Sequence, residues 1–178
     1  MRHGGKAAEI TVSDVYSGAD LVVDETRISL KTEASKNISK NKITISKFME
    51  ARWIRDQDAS SLARLASARF SEHMAGYERI IMLRAFALKD NKVQYDLVEI
   101  PHNLLALGSH LKAENIKLSS GRNGGGKAII RQDGQDAFTL RFDGSVEKVT
   151  ITNLLIDLCI THVSWVIPLM ISDLETDI

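Results

Sequence analysis

The stretch that decides the fold is residues 18–34, which read GADLVVDETRISLKTEA. Two short apolar runs flank a polar segment, and this pattern predicts a β-hairpin. With Glu25 and Thr26 at the tip of the turn, Asp20 lies opposite Lys31. Opposed residues of an antiparallel pair project to the same face of the sheet, with β-carbons roughly 5 Å apart. The hairpin therefore predicts a carboxylate beside an ammonium group.

Alternation along the two strands sends their apolar side chains to the other face, which is expected to be buried. These side chains are Leu21, Val23, Ile28 and Leu30. On the polar face, a carboxylate can hold a hard divalent cation such as Mg²⁺ through oxygen. A metal held there lowers the pKa of a bound water, and a nearby ammonium can stabilise the reacting phosphate or orient the water. The alternative is an ordinary surface ion pair, which contributes little to stability.

This hairpin resembles the catalytic hairpin of the PD-(D/E)xK nuclease superfamily, and that of type II restriction endonucleases in particular. In that superfamily an Asp lies on the first strand, and an acidic residue, any residue and a Lys lie on the second. Asp20 matches the Asp, Lys31 matches the Lys, and Ser29 occupies the position of the second acid. The resemblance implies that Asp20 binds Mg²⁺ and that Lys31 positions or helps to deprotonate a water. It also implies the main-chain carbonyl of Leu30 as a metal ligand.

The departure at the second acid raises the question of which residue replaces it. Some restriction enzymes with Ser at this position take the carboxylate from the following helix. The resemblance therefore implies Glu50, on the edge of a helix expected over residues 43–56. Glu33 is the rival, because it shares a face with the catalytic lysine. Glu9, expected on a short helix within residues 4–12, matches a Glu that joins the metal shell in many relatives. Each of the three can also be a plain surface Glu.

Length and charge fit one globular nuclease domain over residues 1–178, with 44% hydrophobic and 26% charged residues. Helices that usually precede the hairpin in relatives are expected to be missing. The net charge is zero, although many nucleic-acid-binding proteins are basic. Basic residues are nevertheless concentrated in residues 31–47 and 112–131, and such stretches can bind phosphates despite a neutral total. The predicted DNA contacts are Lys36, Lys40, Lys42, Arg122 and Lys127. The alternative is a pair of solvated loops.

The rest of the chain alternates between helical and strand patterns. The expected elements are helices over residues 59–76, 101–109 and 152–165, strands over 79–88 and 93–100, and a meander near 127–132, 136–142 and 146–150. Two Asp-Gly pairs mark the turns of the meander. Residues 121–127 satisfy the pattern GxxxxGK, but Ala128 lacks the hydroxyl that a phosphate-binding loop needs, so a DNA-contacting loop is favoured. The single cysteine, Cys159, suits a reducing cytoplasm.

The predicted fold is an α/β domain with a restriction-endonuclease-like mixed central sheet flanked by helices. The resemblance implies a Mg²⁺-dependent endonuclease that hydrolyses double-stranded DNA, most simply a sequence-specific type II restriction enzyme. A cytoplasmic location is expected. A homodimer is also expected, because two-fold symmetry in DNA is matched by two-fold symmetry in protein. Two alternatives stay open. One is a catalytically inactive nucleic-acid-binding module, which the Ser29 departure motivates. The other is a repair or junction nuclease with the same centre.

Overall fold

The computed structural model describes residues 10–12, 19–35, 37–89, 91–120 and 123–168, and within these ranges the strands form two sheets. The strands are β1 (Ile10–Val12), β2 (Leu21–Val23), β3 (Thr26–Ala34), β4 (Lys42–Glu50), β5 (Arg79–Leu88), β6 (Lys92–Ile100), β7 (Ile116–Leu118), β8 (Gly125–Gln132), β9 (Gln135–Asp143), β10 (Lys148–Leu155) and β11 (Ile160–Pro168). The α-helices are α1 (Ala59–Met74) and α2 (His102–Ala106), and short 3-10 turns cover Arg52–Ile54, Leu107–Ser109, Ala113–Asn115 and Ile156–Leu158.

The first sheet has the order β1-β2-β3-β5-β6-β11 and is mixed. Strands β3 and β5 run parallel, and the other neighbouring pairs are antiparallel. Because parallel neighbours need a crossover, the chain passes through β4 and α1 between them. The strands predicted over residues 79–88 and 93–100 are confirmed as β5 and β6. This sheet is the mixed central sheet that the sequence predicted.

The second sheet is antiparallel and has the order β4-β10-β9-β8-β7. It contains the predicted meander as β8, β9 and β10. Asp133 and Gly134 form the turn between β8 and β9 with φ of 52° and 81°. Both residues adopt positive φ, which is the geometry that favours an Asp-Gly pair in a two-residue hairpin turn. The turn chemistry in the sequence therefore placed these strands correctly.

Helix α1 confirms the helix predicted over residues 59–76. Its first turn is capped by Asp58, whose Oδ1 accepts a hydrogen bond from the backbone N–H of Ser61 at 2.7 Å. Its buried face packs on β4, where the rings of Phe70 and Phe48 stack with centroids 4.9 Å apart. One cluster of buried hydrophobic side chains contains residues of α1 and of both sheets. No helix in the described ranges is long and apolar enough to cross a bilayer.

The helix predicted over residues 43–56 is wrong, because this segment forms strand β4 and a 3-10 turn. Ile43 and Ile45 are both buried at strand spacing, and β-branched residues favour strands. Register shifts between β4 and β10 interrupt the alternation further along. The apolar residues therefore have a spacing that also fits a helix. Within β4, the carbonyl of Ser46 accepts a hydrogen bond from Thr150 Oγ1.

The helix predicted over residues 152–165 is also wrong. The chain continues β10 to Leu155, makes a 3-10 turn and returns as β11 at the edge of the first sheet. All nine residues of β11 are exposed, and the segment is rich in β-branched residues, which fit a pleated surface better than a helix. Residues 10–12 form strand β1 rather than part of the predicted N-terminal helix. Glu9 lies outside the described residues.

Candidate active site

The predicted hairpin exists, but its register differs from the predicted one by two residues. Asp24 and Glu25 form the tip with φ of 46° and 66°, and Leu21 lies opposite Ile28. Asp20 is therefore next to Ser29 rather than directly opposite Lys31. Its backbone N–H donates to the carbonyl of Ile28 at 2.9 Å, which extends the pairing beyond β2. Because side chains alternate with a period of two, a two-residue shift keeps the acid and the lysine on one face.

The acid, the serine and the lysine form a connected chain on this face. Lys31 Nζ donates to Ser29 Oγ at 2.7 Å, and Ser29 Oγ donates to Asp20 Oδ2 at 3.1 Å. The same oxygen accepts from the backbone N–H of Leu30 at 2.6 Å and lies 3.8 Å from Lys31 Nζ. Ser29 therefore bridges the two groups at the position where the superfamily pattern has an acid. The predicted juxtaposition of Asp20 and Lys31 is confirmed.

The burial of this hairpin differs from the prediction that its apolar face is buried and its polar face is exposed. Ser29 is fully buried, whereas Leu30 is 44% exposed. Leu21 and Val23 are half-buried, and Ile28 alone of the predicted apolar set is buried. The polar face of β3 points inward because β4 packs beside it, as the hydrogen bond from Thr44 N–H to Glu33 shows. The acid and lysine therefore lie at the edge of the core.

Partial burial changes the chemistry of the lysine. The Lys31 side chain is 19% exposed, and desolvation lowers its pKa below the ordinary value for a lysine. The negative charge of Asp20 opposes this shift. A lysine with a lowered pKa gives up or shares a proton more readily than a surface lysine. The Asp20 side chain is 49% exposed, so one end of the pair faces solvent.

Two residues with ring side chains, His73 and Tyr77, also lie close to this pair, although neither belongs to the sequence motif. Desolvation, together with the nearby charge of Lys31, lowers the pKa of His73 to about 4. Burial raises the pKa of Tyr77, and the charge of Asp20 raises it further. The rings of His73 and Tyr77 meet edge to face at 5.4 Å, and His73 also meets the ring of Phe48 at 4.7 Å. The His73 side chain is half-buried.

The His73 ring contains a buried nitrogen that makes no hydrogen bond within the described residues. His73 Nε2 is buried and has no hydrogen-bond partner among the described residues. Its ring has a hydrogen bond with the backbone of Phe48, and this bond leaves the other nitrogen free. Buried polar atoms are nearly always satisfied by protein or by ordered water. His73 lies 42 residues after Lys31 in the sequence. Local sequence spacing therefore gives no signal that the two residues are close, because only the fold brings them together.

Glu33, the rival second acid, is held in a buried ion pair. Its Oε2 accepts from Arg84 Nε at 2.7 Å, and its Oε1 accepts from the N–H of Thr44 at 2.8 Å. Arg84 has no exposed surface. Its guanidinium also donates to the carbonyls of Ser39 at 2.6 Å and Lys42 at 2.9 Å. Both carboxylate oxygens of Glu33 are therefore occupied in holding β3, β4 and β5 together.

Glu50, the preferred second acid, lies at the end of strand β4 and not on a helix. Its exposed carboxylate pairs with Lys47 Nζ at 3.0 Å. The hydrogen bond with Lys47 holds the pKa of Glu50 below its usual range. Among the residues that the structure describes, no three His, Cys, Asp or Glu side chains converge into a metal-binding group. Asp20 and Glu50 are therefore not part of such a group, and Glu9, the third acid of the predicted set, lies outside the described residues.

Three of the five predicted DNA contacts lie within the described residues. Lys40 and Lys42 are exposed around the start of β4, and Lys127 is exposed on β8. Lys36 and Arg122 lie outside the described residues. Lys42 and Lys127 line one cavity of about 1140 Å³ on the second sheet.

The glycine run before Lys127 serves backbone packing and does not form a phosphate-binding loop. Gly125 has φ of 101°, and a Cβ there would lie 2.2 Å from the carbonyl oxygen of Phe142. Only glycine permits both this backbone conformation and this close approach. Lys127 follows on strand β8 rather than at the start of a helix. The sequence disfavours a nucleotide-binding loop here, because Ala128 has no hydroxyl, and the strand agrees with that expectation.

Comparison with known proteins identifies the family to which this chain belongs. A family model described as SmaI, type II site-specific deoxyribonuclease, matches residues 2–167, and the chain therefore belongs to this family. The type II restriction enzyme SmaI of Serratia marcescens is 37% identical over 175 residues, which cover 93% of this chain and 66% of the relative. The chain thus spans slightly under two thirds of that relative's length. No solved structure gives a significant match.

Proposed function

We propose that this protein is a sequence-specific endonuclease that hydrolyses phosphodiester bonds in double-stranded DNA. The observation that carries the proposal is the chain of hydrogen bonds that joins Asp20, Ser29 and Lys31 on one face of the hairpin. Membership of a family of type II site-specific deoxyribonucleases supports the same chemistry. The relative from Serratia marcescens is named a restriction enzyme, which supports sequence-specific cleavage.

Magnesium is the cofactor that this site fits best. Asp20 Oδ2 is occupied by donors, but Oδ1 accepts no hydrogen bond from the described residues. Mg²⁺ is commonly held by one or two carboxylates together with phosphate oxygens and waters, so it does not require a cage of acids. Asp20 and the carbonyl of Leu30 would hold the ion. When bound, it would lower the pKa of a water and neutralise charge on the phosphate.

Lys31 and Ser29 act on the reacting groups from the protein side. The ammonium of Lys31 is held by Ser29 and stands next to the acid, where it stabilises negative charge that develops on the phosphate. Its lowered pKa also suits the orientation and deprotonation of the attacking water. Ser29 keeps the lysine in place and donates to the acid, so the substitution of an acid by serine preserves the geometry of the pair.

The second acid is the part of the proposal that mutation must decide. Glu50 and Glu33 remain the candidates within the described residues, and Glu9 is the candidate outside them. The ion pair with Arg84 already occupies both oxygens of Glu33. Glu50 has only an exposed partner, Lys47, and can exchange it at little cost. Glu50 is therefore the better of the two described candidates.

A cytoplasmic location is part of the proposal, because a restriction enzyme meets its DNA substrate there. Cleavage of both strands at a symmetric site also favours a homodimer, because two-fold DNA symmetry calls for two-fold protein symmetry. Exposed basic residues supply contacts to the duplex, and the proposed ones are Lys36, Lys40, Lys42, Arg122 and Lys127. Light scattering of the purified chain with and without duplex DNA tests the dimer. A monomer under both conditions contradicts it.

The test of the function is incubation of plasmid DNA with and without Mg²⁺. We expect discrete fragments with Mg²⁺ only, and we expect Asp20→Ala and Lys31→Ala to abolish cutting while the far-ultraviolet circular dichroism stays unchanged. The matched control is Glu25→Ala, an acid at the exposed tip of the same hairpin. Wild-type cutting rates in either active-site variant contradict the assignment.

The products distinguish the alternatives. Smeared products or nicking confined to branched DNA indicate a repair or junction nuclease. Binding without cutting indicates the inactive module.

A further inference from the structure

Three cations lie in one row across the outer face of the second sheet. Lys117 on β7 is paired with Lys127 on β8, and Lys127 is paired with Arg141 on β9. Neighbouring strands lie about 4.8 Å apart, so the row spans about 10 Å. Like charges that lie directly opposite each other destabilise a sheet. The row therefore costs the fold stability unless an anion binds to it.

The described residues contain no anion that neutralises this row. None of the ion pairs between described residues includes these three side chains. Two acids border the same cavity, but each has another partner. Asp136 pairs with Arg131 at 2.8 Å, and Asp143 accepts hydrogen bonds from Ser145. The positive charge of the row is thus available to a ligand.

The row faces outward into the large cavity. Lys117, Lys127 and Arg141 are all exposed, whereas the next residues along β8 and β9, Ala128 and Phe142, are buried. The cavity of about 1140 Å³ has these three cations in its lining, together with neutral hydrogen-bonding residues. The neutral residues include Ser119, Asn123, Thr139 and Thr152. Cations with hydroxyl and amide neighbours are the groups that contact phosphate oxygens in DNA complexes.

The surface is continuous with the strand that carries the catalytic lysine. Lys42 and Asn153 line the large cavity and also a second one of about 570 Å³. The second cavity is bordered by Thr32 and Glu33, which directly follow Lys31 in β3. A chain of phosphates can therefore lie across the row and continue towards β3.

We propose that the row of Lys117, Lys127 and Arg141 binds the phosphate backbone of the DNA substrate. This inference rests on the proposed endonuclease function and adds the surface that holds the duplex beside the catalytic hairpin. Phosphates on one strand recur every 3.4 Å along the helix axis, so a row of about 10 Å corresponds to about three of them. Contacts of this kind position the duplex and do not read its sequence.

The experiment compares two triple variants that remove equal charge. The first is Lys117→Gln with Lys127→Gln and Arg141→Gln. The control is Arg64→Gln with Lys89→Gln and Lys92→Gln, whose exposed side chains line neither cavity. Binding to a short fluorescent duplex is measured without divalent metal, over a range of salt concentrations. Cleavage with Mg²⁺ is measured separately.

For the row variant we expect at least about a tenfold loss of affinity at low salt, and a log–log salt slope shallower by about 2 to 3, since each phosphate contact contributes about 0.9. The loss should appear in KM with little change in kcat. The row variant should also melt no lower than wild type, because the opposed like charges are gone. The control should bind like wild type.

The outcomes separate this inference from the function on which it rests. If wild type binds duplex DNA and the row variant binds it with the same salt dependence, the proposal that the row binds phosphates is overturned, whereas the proposed endonuclease function is not. If wild type binds duplex DNA, the row variant has a shallower salt dependence and neither protein cuts, phosphate binding by the row is supported and the proposed endonuclease function is overturned. If wild type does not bind duplex at all, both proposals are overturned.

Discussion

Replacement of Glu33 by Gln tests whether this acid supports the fold or the chemistry. Arg84 is fully buried, and Glu33 is its only carboxylate partner among the described residues. Removal of one partner of a buried ion pair leaves an uncompensated charge and costs about 3–5 kcal/mol. Gln keeps one oxygen acceptor but loses the charge, so about 3 kcal/mol is expected for Glu33→Gln and about 5 kcal/mol for Glu33→Ala.

The assay is thermal and urea unfolding followed by circular dichroism. For a chain of this length, about 2–4 °C of Tm is lost per kcal/mol, so Glu33→Gln should lower Tm by about 6–12 °C. Glu50→Gln is the matched control because its ion pair is exposed, and it should leave the Tm close to that of wild type. The double variant Glu33→Leu with Arg84→Met should recover part of the loss, since paired removal leaves no buried charge.

Cleavage at a temperature well below the lowered Tm completes the test. If Glu33 is structural, the folded variant cuts DNA at a rate close to wild type. A variant with unchanged unfolding behaviour and no cutting would refute the structural reasoning and make Glu33 the second acid.

The remaining predictions concern the bridge, the histidine and the glycine. Ser29→Ala should lower kcat about tenfold or more while it costs about 1 kcal/mol of stability, because the lysine loses its hydrogen-bonding partner; plasmid cleavage and urea unfolding check this, and an unchanged kcat would contradict it. The pKa of His73 is about 4 in the folded state, so between about pH 6.5 and 4 only the unfolded state takes up a proton at this residue. The free energy of unfolding should therefore decrease as the pH is lowered through this window, by about 3 kcal/mol from this group. Urea unfolding across this window should therefore show a weaker pH dependence for His73→Asn than for wild type. Gly125→Ala should lower Tm more than Gly134→Ala, because only the first would place a Cβ against backbone atoms, whereas both have positive φ.

Local chemistry in the sequence was enough to place the meander and the long helix. Asp133 and Gly134 are the residues that a two-residue turn requires, and Asp58 is a good cap for α1. The hairpin was found but its register was not, because Asp24 and Glu25 adopt positive φ without the glycine that usually marks such a turn. The face that is buried depends on what packs above it, which local spacing does not encode.

The two wrong helices have a common physical cause. Strand β4 changes register against β10, so its apolar residues are not strictly alternating and imitate a helical stripe. Strand β11 is an apolar run that is exposed at a sheet edge, where no alternation is imposed. In both cases the tertiary pairing decided the conformation.

The acid and lysine of the site were predictable because they lie on adjacent strands of one hairpin. Their neighbours were not, because His73 and Tyr77 come from the end of α1 and the segment after it. The partner of Glu33 is likewise 51 residues away in sequence. Residues that converge only through the crossover of the central sheet leave no mark in local spacing.

The guanidinium of Arg84 has a mechanical consequence. It ties the main chain at Ser39 and Lys42 to β3 through one buried charge. Lys42 borders the cavity in which a duplex is proposed to lie. A displacement of the main chain at Lys42 is therefore transmitted to β3, the strand that carries Lys31. Arg84 thus fixes the position of Lys42 relative to β3, and loss of the ion pair would loosen that placement while the hydrogen bonds among Asp20, Ser29 and Lys31 stay in place.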